Sequence, residues 1–413
     1  MTIANANALF QGLKTKASFT KTITIESGDP EDALLKEARK KIRDAIRNAF
    51  GGFETYFRDS TLRPVLLNAR DYSFEGLAKS LKNLDVRFLT QGSHAYRTLI
   101  RPALPNQEID LDDGVYLSMP FVNGRPLLSS EGLFQIIERA LVPLVRSEGW
   151  ALKRKDTCVR VQIALRKAHI DLPLFAVERE GLSVVLMSIQ KALGEPVART
   201  SKLTDLLNGN HRKSVGLADG SILLADRNED WRKSDPKAIH DWFSDQVDVL
   251  GPVLRRLCRY SKAWRDNKLG NCTLSSLALM VMCVEALASL GERPSENRDD
   301  LLLLKVVSQF PTKLTNGGLV WQEGERPLDE KWTDDERKIF VSAAKIFSDT
   351  LKSALEHKYD REQIVLAIQG ELGKRFPNAP EAIDISRGGQ TAEVLETKAS
   401  VVAMPTVGTS VSA

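Results

Sequence analysis

Two strand-like runs with carboxylates at alternate positions constrain this chain more than any other feature. The first, Ile109 to Met119, reads IDLDDGVYLSM; the second, His169 to Val177, reads HIDLPLFAV. Residues two apart on a strand share a face, so Asp110 and Asp112 project together while Ile109 and Leu111 enter the opposite, apolar layer. By the same period His169 and Asp171 lie on one face and Ile170 and Leu172 on the other. If the two strands are neighbours, Asp110, Asp112 and Asp171 converge at one end of a sheet. Three such carboxylates repel and raise one another's pKa unless cations sit among them. Two ions of magnesium or manganese, which take oxygen ligands, resolve that conflict, and a pair roughly 3.5 to 4 Å apart suits in-line displacement at a phosphate. Asp110 and Asp112 would bridge both ions, and Asp171 would touch the one that activates a hydroxyl. Taken alone, the DxDD run also suits an acidic turn or a calcium loop. EF-hand spacing fails, because the twelfth position counted from Asp110 is Phe121 rather than Glu. Asp113 and Gly114 read as a turn that interrupts the first strand, with Asp113 capping it.

A third strand candidate, Val86 to Thr90, runs into Gln91, Gly92 and Ser93. Glycine allows close approach of a phosphate, and a serine hydroxyl with neighbouring backbone N–H groups can hold its oxygens. No GxxxxGK[ST] run occurs, which disfavours a Walker-type ATPase. The pattern that carries weight is Gly-Ser, a DxD beginning 17 residues after the serine, and one later strand aspartate.

At 413 residues the chain exceeds what one core fills, since single cores stop growing at roughly 250 to 300 residues. Asp29 and Pro30 open an amphipathic helix with apolar residues at Leu34, Leu35, Ala38, Ile42, Ile46 and Phe50, which Gly51 and Gly52 stop. A helix over 130–149 and strands over 157–165 and 169–177 complete an α/β part. Residues 198–245 are polar, with Ser234, Asp235 and Pro236 preparing a helix over 238–250. Helical patterns follow over 253–267, 274–290, 299–310, 334–356 and 360–375. The reading is a first lobe of residues 1–190, a mainly helical lobe of 191–386 that closes the cleft, and a flexible tail of 387–413. Tyr260 and Trp264, four apart, read as core.

The four cysteines form no CxxC pair and read as reduced core residues. The net charge of +4 is too small for extended duplex recognition, so no stable DNA or RNA template is expected. Local basic clusters at Lys153 to Lys155, Arg212 to Lys213 and Arg255 to Arg265 still suit triphosphates. The first 20 residues lack an apolar signal core, and the 274–290 helix contains Glu285 and is too short to span a bilayer, so a cytoplasmic enzyme without a membrane partner is expected.

The runs QGSHAYRTL (91–99), EIDLDDGVYLSM (108–119), HIDLPLFAV (169–177), SDPKAIHDWF (234–243) and LCRYSKAWRDN (257–267), with Ser275 and Ser276 beyond, resemble a known family. It is the nucleotidyltransferase superfamily that includes polymerase beta, and within it the bacterial cyclic dinucleotide synthases of the cGAS/DncV-like group. The resemblance implies an α/β, polymerase-beta-like core with a mixed sheet and a mainly α-helical C-terminal lobe. It implies Asp110, Asp112 and Asp171 as catalytic metal ligands and Gln91, Gly92 and Ser93 as the phosphate turn. It further implies Tyr96 against a nucleobase, Arg160 on phosphate or acceptor, Lys262 and Ser276 on donor triphosphate, and Ser234 with Asp235 on base or ribose.

The reaction so implied condenses ATP and GTP into cyclic GMP-AMP, releasing pyrophosphate, as a second messenger in antiphage signalling. A downstream effector protein would bind the product, and a ubiquitin-transfer-like enzyme would act on the C-terminal Ala413. Alternatives are a cyclic product of other base composition, linear transfer to RNA or a small molecule, and a catalytically inactive nucleotide-binding scaffold.

Overall fold

The computed structural model describes residues 4–12, 17–52, 84–122, 124–164, 167–178, 222–234, 236–291, 298–358 and 360–386. Asp235, the Arg212–Lys213 cluster, the tail from residue 387 and Ala413 lie outside the described residues.

Asp29 takes an extended backbone, Pro30 fills the first turn and Glu31 and Asp32 face the helix N-terminus, so helix α1, Pro30–Gly51, starts where the sequence signals it. Its buried positions Leu35, Ala38, Ile42, Ile46 and Phe50 recur every three or four residues. Helix α2, Ser130–Glu148, begins at Ser129, whose hydroxyl accepts from Gly132 N, and stops at Gly149 with φ 68°. Both helices cover one face of a sheet of seven strands among the described residues: β1 (Val86–Gln91), β2 (Ile109–Met119), β3 (Ala151–Arg154), β4 (Cys158–Ile163), β5 (Ala168–Glu178), β6 (Ile222–Asp226) and β7 (Asp230–Lys233).

β2 and β5 lie side by side and parallel, while the other pairs are antiparallel. One edge of β5 is shared, its first half pairing with β4 and its second half with β6. The covered face is apolar apart from Asp113, from Ile109, Leu111 and Val115 on β2 to Ile170, Leu172 and Leu174 on β5. The opposite face divides along its length. Tyr116 and Phe175 stack at 4.6 Å in a small cluster with Leu89, Val177, Ile222 and Leu224, leaving the acidic residues at the other end.

Three expectations are corrected here. β2 runs through Asp113 and Gly114 without a turn. Asp113 is fully buried and both its oxygens accept from Arg43 of α1, at 2.8 and 2.5 Å, so a paired acid sits inside a strand. Gly114 serves close approach instead: a Cβ there would lie 2.5 Å from Gln91 Nε2. Second, β6 and β7 fall within 191–386 yet extend the first lobe's sheet, because the short, wholly buried ILLAD run pairs with β5 inside an otherwise polar stretch. Third, residues 4–12 and 17–23 do not join the first lobe. Phe10 and Phe19 pack on Tyr260 and Phe376 of the helical part, with Phe10 ring centroids 5.1 and 5.0 Å from the latter two.

The helical lobe comprises α3 (Pro236–Leu250), α4 (Val253–Lys268), α5 (Ser276–Ala288), α6 (Asp299–Val307), α7 (Phe310–Asn316), α8 (Asp334–Lys352) and α9 (Arg361–Leu372). The expected 299–310 helix ends early because Pro311, in the first turn of α7, cannot continue the preceding ladder. α8 ends in a π-helical turn, Ser353–His357. Tyr260 and Trp264 are buried core residues, Trp264 stacking on Phe347 at 5.1 Å. All four cysteines are free. Among the described residues no helix is long and apolar enough to cross a membrane.

Candidate active site

Register decides which side chains meet at the acidic end of the sheet. Asp110 stands opposite His169 and Asp112 opposite Asp171 across the parallel β2–β5 pair. On the next strand Arg160 faces Asp171 and Gln162 faces His169. One oxygen or nitrogen from each of Asp110, His169 and Asp171 lies within 4.8 Å of the other two. Arg160 forks onto Asp171, its Nε and Nη2 donating at 2.7 Å each to the two carboxylate oxygens. His169 is buried between two acids, Nδ1 2.8 Å from Glu108 Oε2 and Nε2 2.9 Å from Asp110 Oδ1, and Gln162 Nε2 donates to Glu108 at 2.5 Å.

The ionisations follow from these neighbours. Crowding by the cleft walls pushes the Asp110 carboxyl up, but His169, with Arg160 and Lys262 beyond, outweighs it and holds the acid below its ordinary value. Burial likewise disfavours charge on His169, yet Asp110 raises the imidazole above its usual pKa. Asp112 goes the other way: burial first, then repulsion from Asp110 and Asp171, push it up to about 8. A divalent cation would relieve that repulsion. The site fits one, because Gly92 has φ +60° and no side chain where a Cβ would lie 1.9 Å from Asp112 Oδ2. The turn and the acid can therefore stand against each other, with Asp112 in register opposite Asp171, while the donor atoms that lie within 4.8 Å of one another are those of Asp110, His169 and Asp171.

Above the carboxylates lies a cavity of about 310 Å³, bounded by both lobes. From the sheet side it is lined by Gly92, Ser93, Tyr96, Asp110 and Asp112, and from the helical side by Lys262, Arg265, Asp266 and Ser276. Lys262 is 5% exposed and its Nζ donates to Thr98 O at 2.9 Å. Burial, then the nearby Arg265, push its ammonium down to about 8, against the opposing pull of Asp266 and Asp110. Lys262 is thus a buried cation at the wall of the cleft. Ser276 is the first residue of α5, so the N-terminus of that helix lies at the cavity beside its hydroxyl, which accepts from Arg265 Nη1 at 3.2 Å. Ser275 is the N-cap, accepting from Ala278 N. Tyr96 lines the cavity while its ring packs 5.9 Å from Phe243 and 6.0 Å from His240.

Other residues singled out from the sequence do not line this cavity. Gln91 donates its amide to the Tyr116 hydroxyl, away from the cleft. Arg160 grips Asp171 and lies outside the lining. Ser234 lies in the short link between β7 and α3, outside the lining. Sequence reasoning missed Glu108, His169 and Asp266 as site residues and named Arg265 only as the end of a basic cluster. A usable signal existed for two: His169 shares a strand face with Asp171, and Arg265 stands one helical turn beyond Lys262.

Strand aspartates in parallel register beneath a Gly-Ser turn, roofed by a helical lobe that brings a buried lysine, define a nucleotidyltransferase. The model of the cyclic GMP-AMP synthase DncV-like nucleotidyltransferase domain matches residues 86–175, and that of the cyclic GMP-AMP synthase C-terminal domain matches 251–384. A cyclic GMP-AMP synthase of Escherichia coli (strain TW11681) is 29% identical over 405 residues, 89% of each chain. Another from Escherichia coli is 31% identical over 307 residues, 71% of this chain and 68% of its own. The solved structure of Vibrio cholerae DncV cyclic AMP-GMP synthase with the linear intermediate 5′ pppA(3′,5′)pG superposes with a TM-score of 0.75 at 24% identity, covering 94% of this chain and 100% of that one. The chain belongs to the DncV-like family of bacterial cGAS-related nucleotidyltransferases.

Proposed function

We propose that this chain condenses ATP and GTP into cyclic GMP-AMP, releasing one pyrophosphate at each of two transfers. The observation that carries this reading is the shared cavity: the acidic pair Asp110 and Asp112 and the cationic and helix-terminal pair Lys262 and Ser276 line the same 310 Å³. A reacting hydroxyl needs the first pair and a departing pyrophosphate the second. Relatives named cyclic GMP-AMP synthase, and a solved relative that holds a linear pppA(3′,5′)pG, support the base pair and the cyclic outcome.

Bound magnesium or manganese, two ions on Asp110, Asp112 and Asp171, would lower the pKa of the attacking 3′-hydroxyl and neutralise the leaving group. The chain's residues do the positioning. Gly92 and Ser93 cradle the β- and γ-phosphates, Lys262 meets the triphosphate as a point charge, and the α5 N-terminus with Ser276 favours its negative charge. Tyr96 offers a ring face to a base. Both oxygens of Asp171 accept from Arg160, and each keeps a second lone pair with which this acid could receive the hydroxyl proton. In the second transfer the linear product turns over, and its own triphosphate becomes the donor to its remaining free hydroxyl.

The residue ranges proposed for the two lobes are 24–234, and 236–386 together with residues 4–12 and 17–23. A product made this way would signal to an effector protein during phage defence, and Ala413 would be the point of attachment for a ubiquitin-transfer-like enzyme. Incubation with all four nucleoside triphosphates and either metal, followed by mass spectrometry after phosphatase and nuclease treatment, tests the central reaction. The expected product has the mass of cyclic GMP-AMP and no phosphatase-sensitive end. A ladder of linear oligomers, or no product from any mixture, contradicts the reading.

A further inference from the structure

The backbone that follows the Gly92–Ser93 turn gives its carbonyl oxygens to cations of the helical lobe. Arg255 Nε donates to Tyr96 O at 3.3 Å, Arg259 Nη2 to Arg97 O at 2.5 Å and Lys262 Nζ to Thr98 O at 2.9 Å. Arg375 Nη1 donates to Arg101 O. The first three donors stand at i, i+4 and i+7 on one face of α4, and their acceptors are consecutive in sequence. Consecutive carbonyls of an extended chain point to opposite sides, so all three can reach one helix only if the backbone bends between them. Arg97 supplies the bend, with φ +57°, a conformation that a non-glycine residue keeps only where its surroundings over-determine it. Internal bonds then carry any displacement to the phosphate turn, since Thr98 N donates to Ser93 O and Tyr96 N to Gly92 O, at 2.8 and 3.0 Å.

These cations meet neutral oxygens where carboxylates would have cancelled their charge. Burial holds the guanidinium groups of Arg255, Arg259 and Arg375 below their ordinary pKa, and the neighbouring Arg97 adds to the effect on Arg255. Asp248 near Arg255, and Asp266 and Asp110 near Lys262, offset only part of it. The edge of the cleft therefore keeps positive charge that an anion can use. The donors also differ in kind. A guanidinium is a rigid fork suited to holding a fixed acceptor, whereas an ammonium on a flexible stem can exchange one acceptor for another.

We propose that Arg255 and Arg259 are positioning residues of the transfer reaction, fixing the Gly92–Ser93 turn through the carbonyls of Tyr96 and Arg97 while Lys262 exchanges Thr98 O for a phosphate oxygen when nucleotide enters. The inference rests on the reading that this turn grips a triphosphate. Binding of a non-hydrolysable GTP analogue with magnesium, measured on the full chain alongside KM and kcat, tests it with Arg259→Met, Arg259→Lys, Ser93→Ala and the double variant Arg259→Met/Ser93→Ala. Loss of one charge-assisted bond to the turn should weaken analogue binding and raise KM about tenfold, with kcat changed less than about threefold. Arg259→Lys should recover to within about threefold of the wild type. Because both residues act through one turn, Arg259→Met should cost less than about threefold once Ser93 is already alanine. Wild-type affinity in Arg259→Met, or the full tenfold loss persisting in the Ser93→Ala background, overturns the proposal. Should Arg259→Met not fold, Arg255→Met supplies the same comparison. A wild-type chain that binds no triphosphate removes the underlying reading and the proposal together; a chain weakened by Ser93→Ala but by neither arginine variant removes the proposal alone.

Discussion

Asp112 and Lys262 line one cavity with ionisations shifted toward each other, the acid raised to about 8 and the ammonium lowered to about 8. For Asp112 the folded chain keeps a proton that the unfolded chain releases near the ordinary carboxyl value of 3.8, so metal-free protein loses stability as pH rises from about 4 to about 8. A bound cation must expel that proton. Calorimetric titration of magnesium or manganese at pH 7, repeated in buffers of different ionisation enthalpy, should report release of nearly one proton, falling to almost none at pH 9.5. Buffer-independent heats at pH 7 would show that Asp112 is already ionised. Lys262 has the opposite sign. Its folded pKa lies below the unfolded value of 10.5, so wild-type stability relative to Lys262→Met should rise by about 2 kcal/mol between pH 7.5 and 9.5. Parallel denaturation curves for the two proteins across that range would count against the buried, desolvated ammonium.

The turn between β1 and β2's acids shows how little room the site allows. A methyl group at Gly92 would lie 1.9 Å from Asp112 Oδ2 and 2.9 Å from its Cγ, on a backbone already at φ +60°. Gly92→Ala should therefore lower turnover by at least about a hundredfold through displacement of that carboxylate, while circular dichroism stays native. Turnover within a few-fold of the wild type would mean the turn has slack that its geometry denies. Elements of this kind were legible in the sequence because period two on a strand is a local property: Asp110 with Asp112, and His169 with Asp171, follow from spacing alone. What spacing could not supply is register. Arg160 meeting Asp171, Gln91 meeting Tyr116 and Asp113 meeting Arg43 are all encounters between separate elements, fixed by strand pairing and by helix packing on the sheet. Asp113 read as a turn residue for this reason, since the arginine that neutralises it lies 70 residues earlier.

At the scale of the molecule, the two lobes are joined less simply than the chain order suggests. Ala4 and Asn5 pair with Ile385 and Asp384, and Asp299 and Asp300 tie down residues 4–11 and Arg256, so the N-terminal segment is part of the helical lobe. Composition along the chain gave no warning, because a short apolar run such as ANALF declares burial without declaring its partner. The α/β-then-α division was legible from the change in period, whereas β6 and β7 were hidden in polar surroundings. Between the lobes the cavity brings strand acids to a helical cation, and the central claim is that these acids do the chemistry. Pyrophosphate release from ATP plus GTP tests it most directly, using purified wild type beside Asp110→Ala, Asp112→Ala and Asp171→Asn, each verified as folded. The account predicts steady release by the wild type and less than about a hundredth of that rate for every variant. Near-wild-type release by folded Asp112→Ala would contradict it.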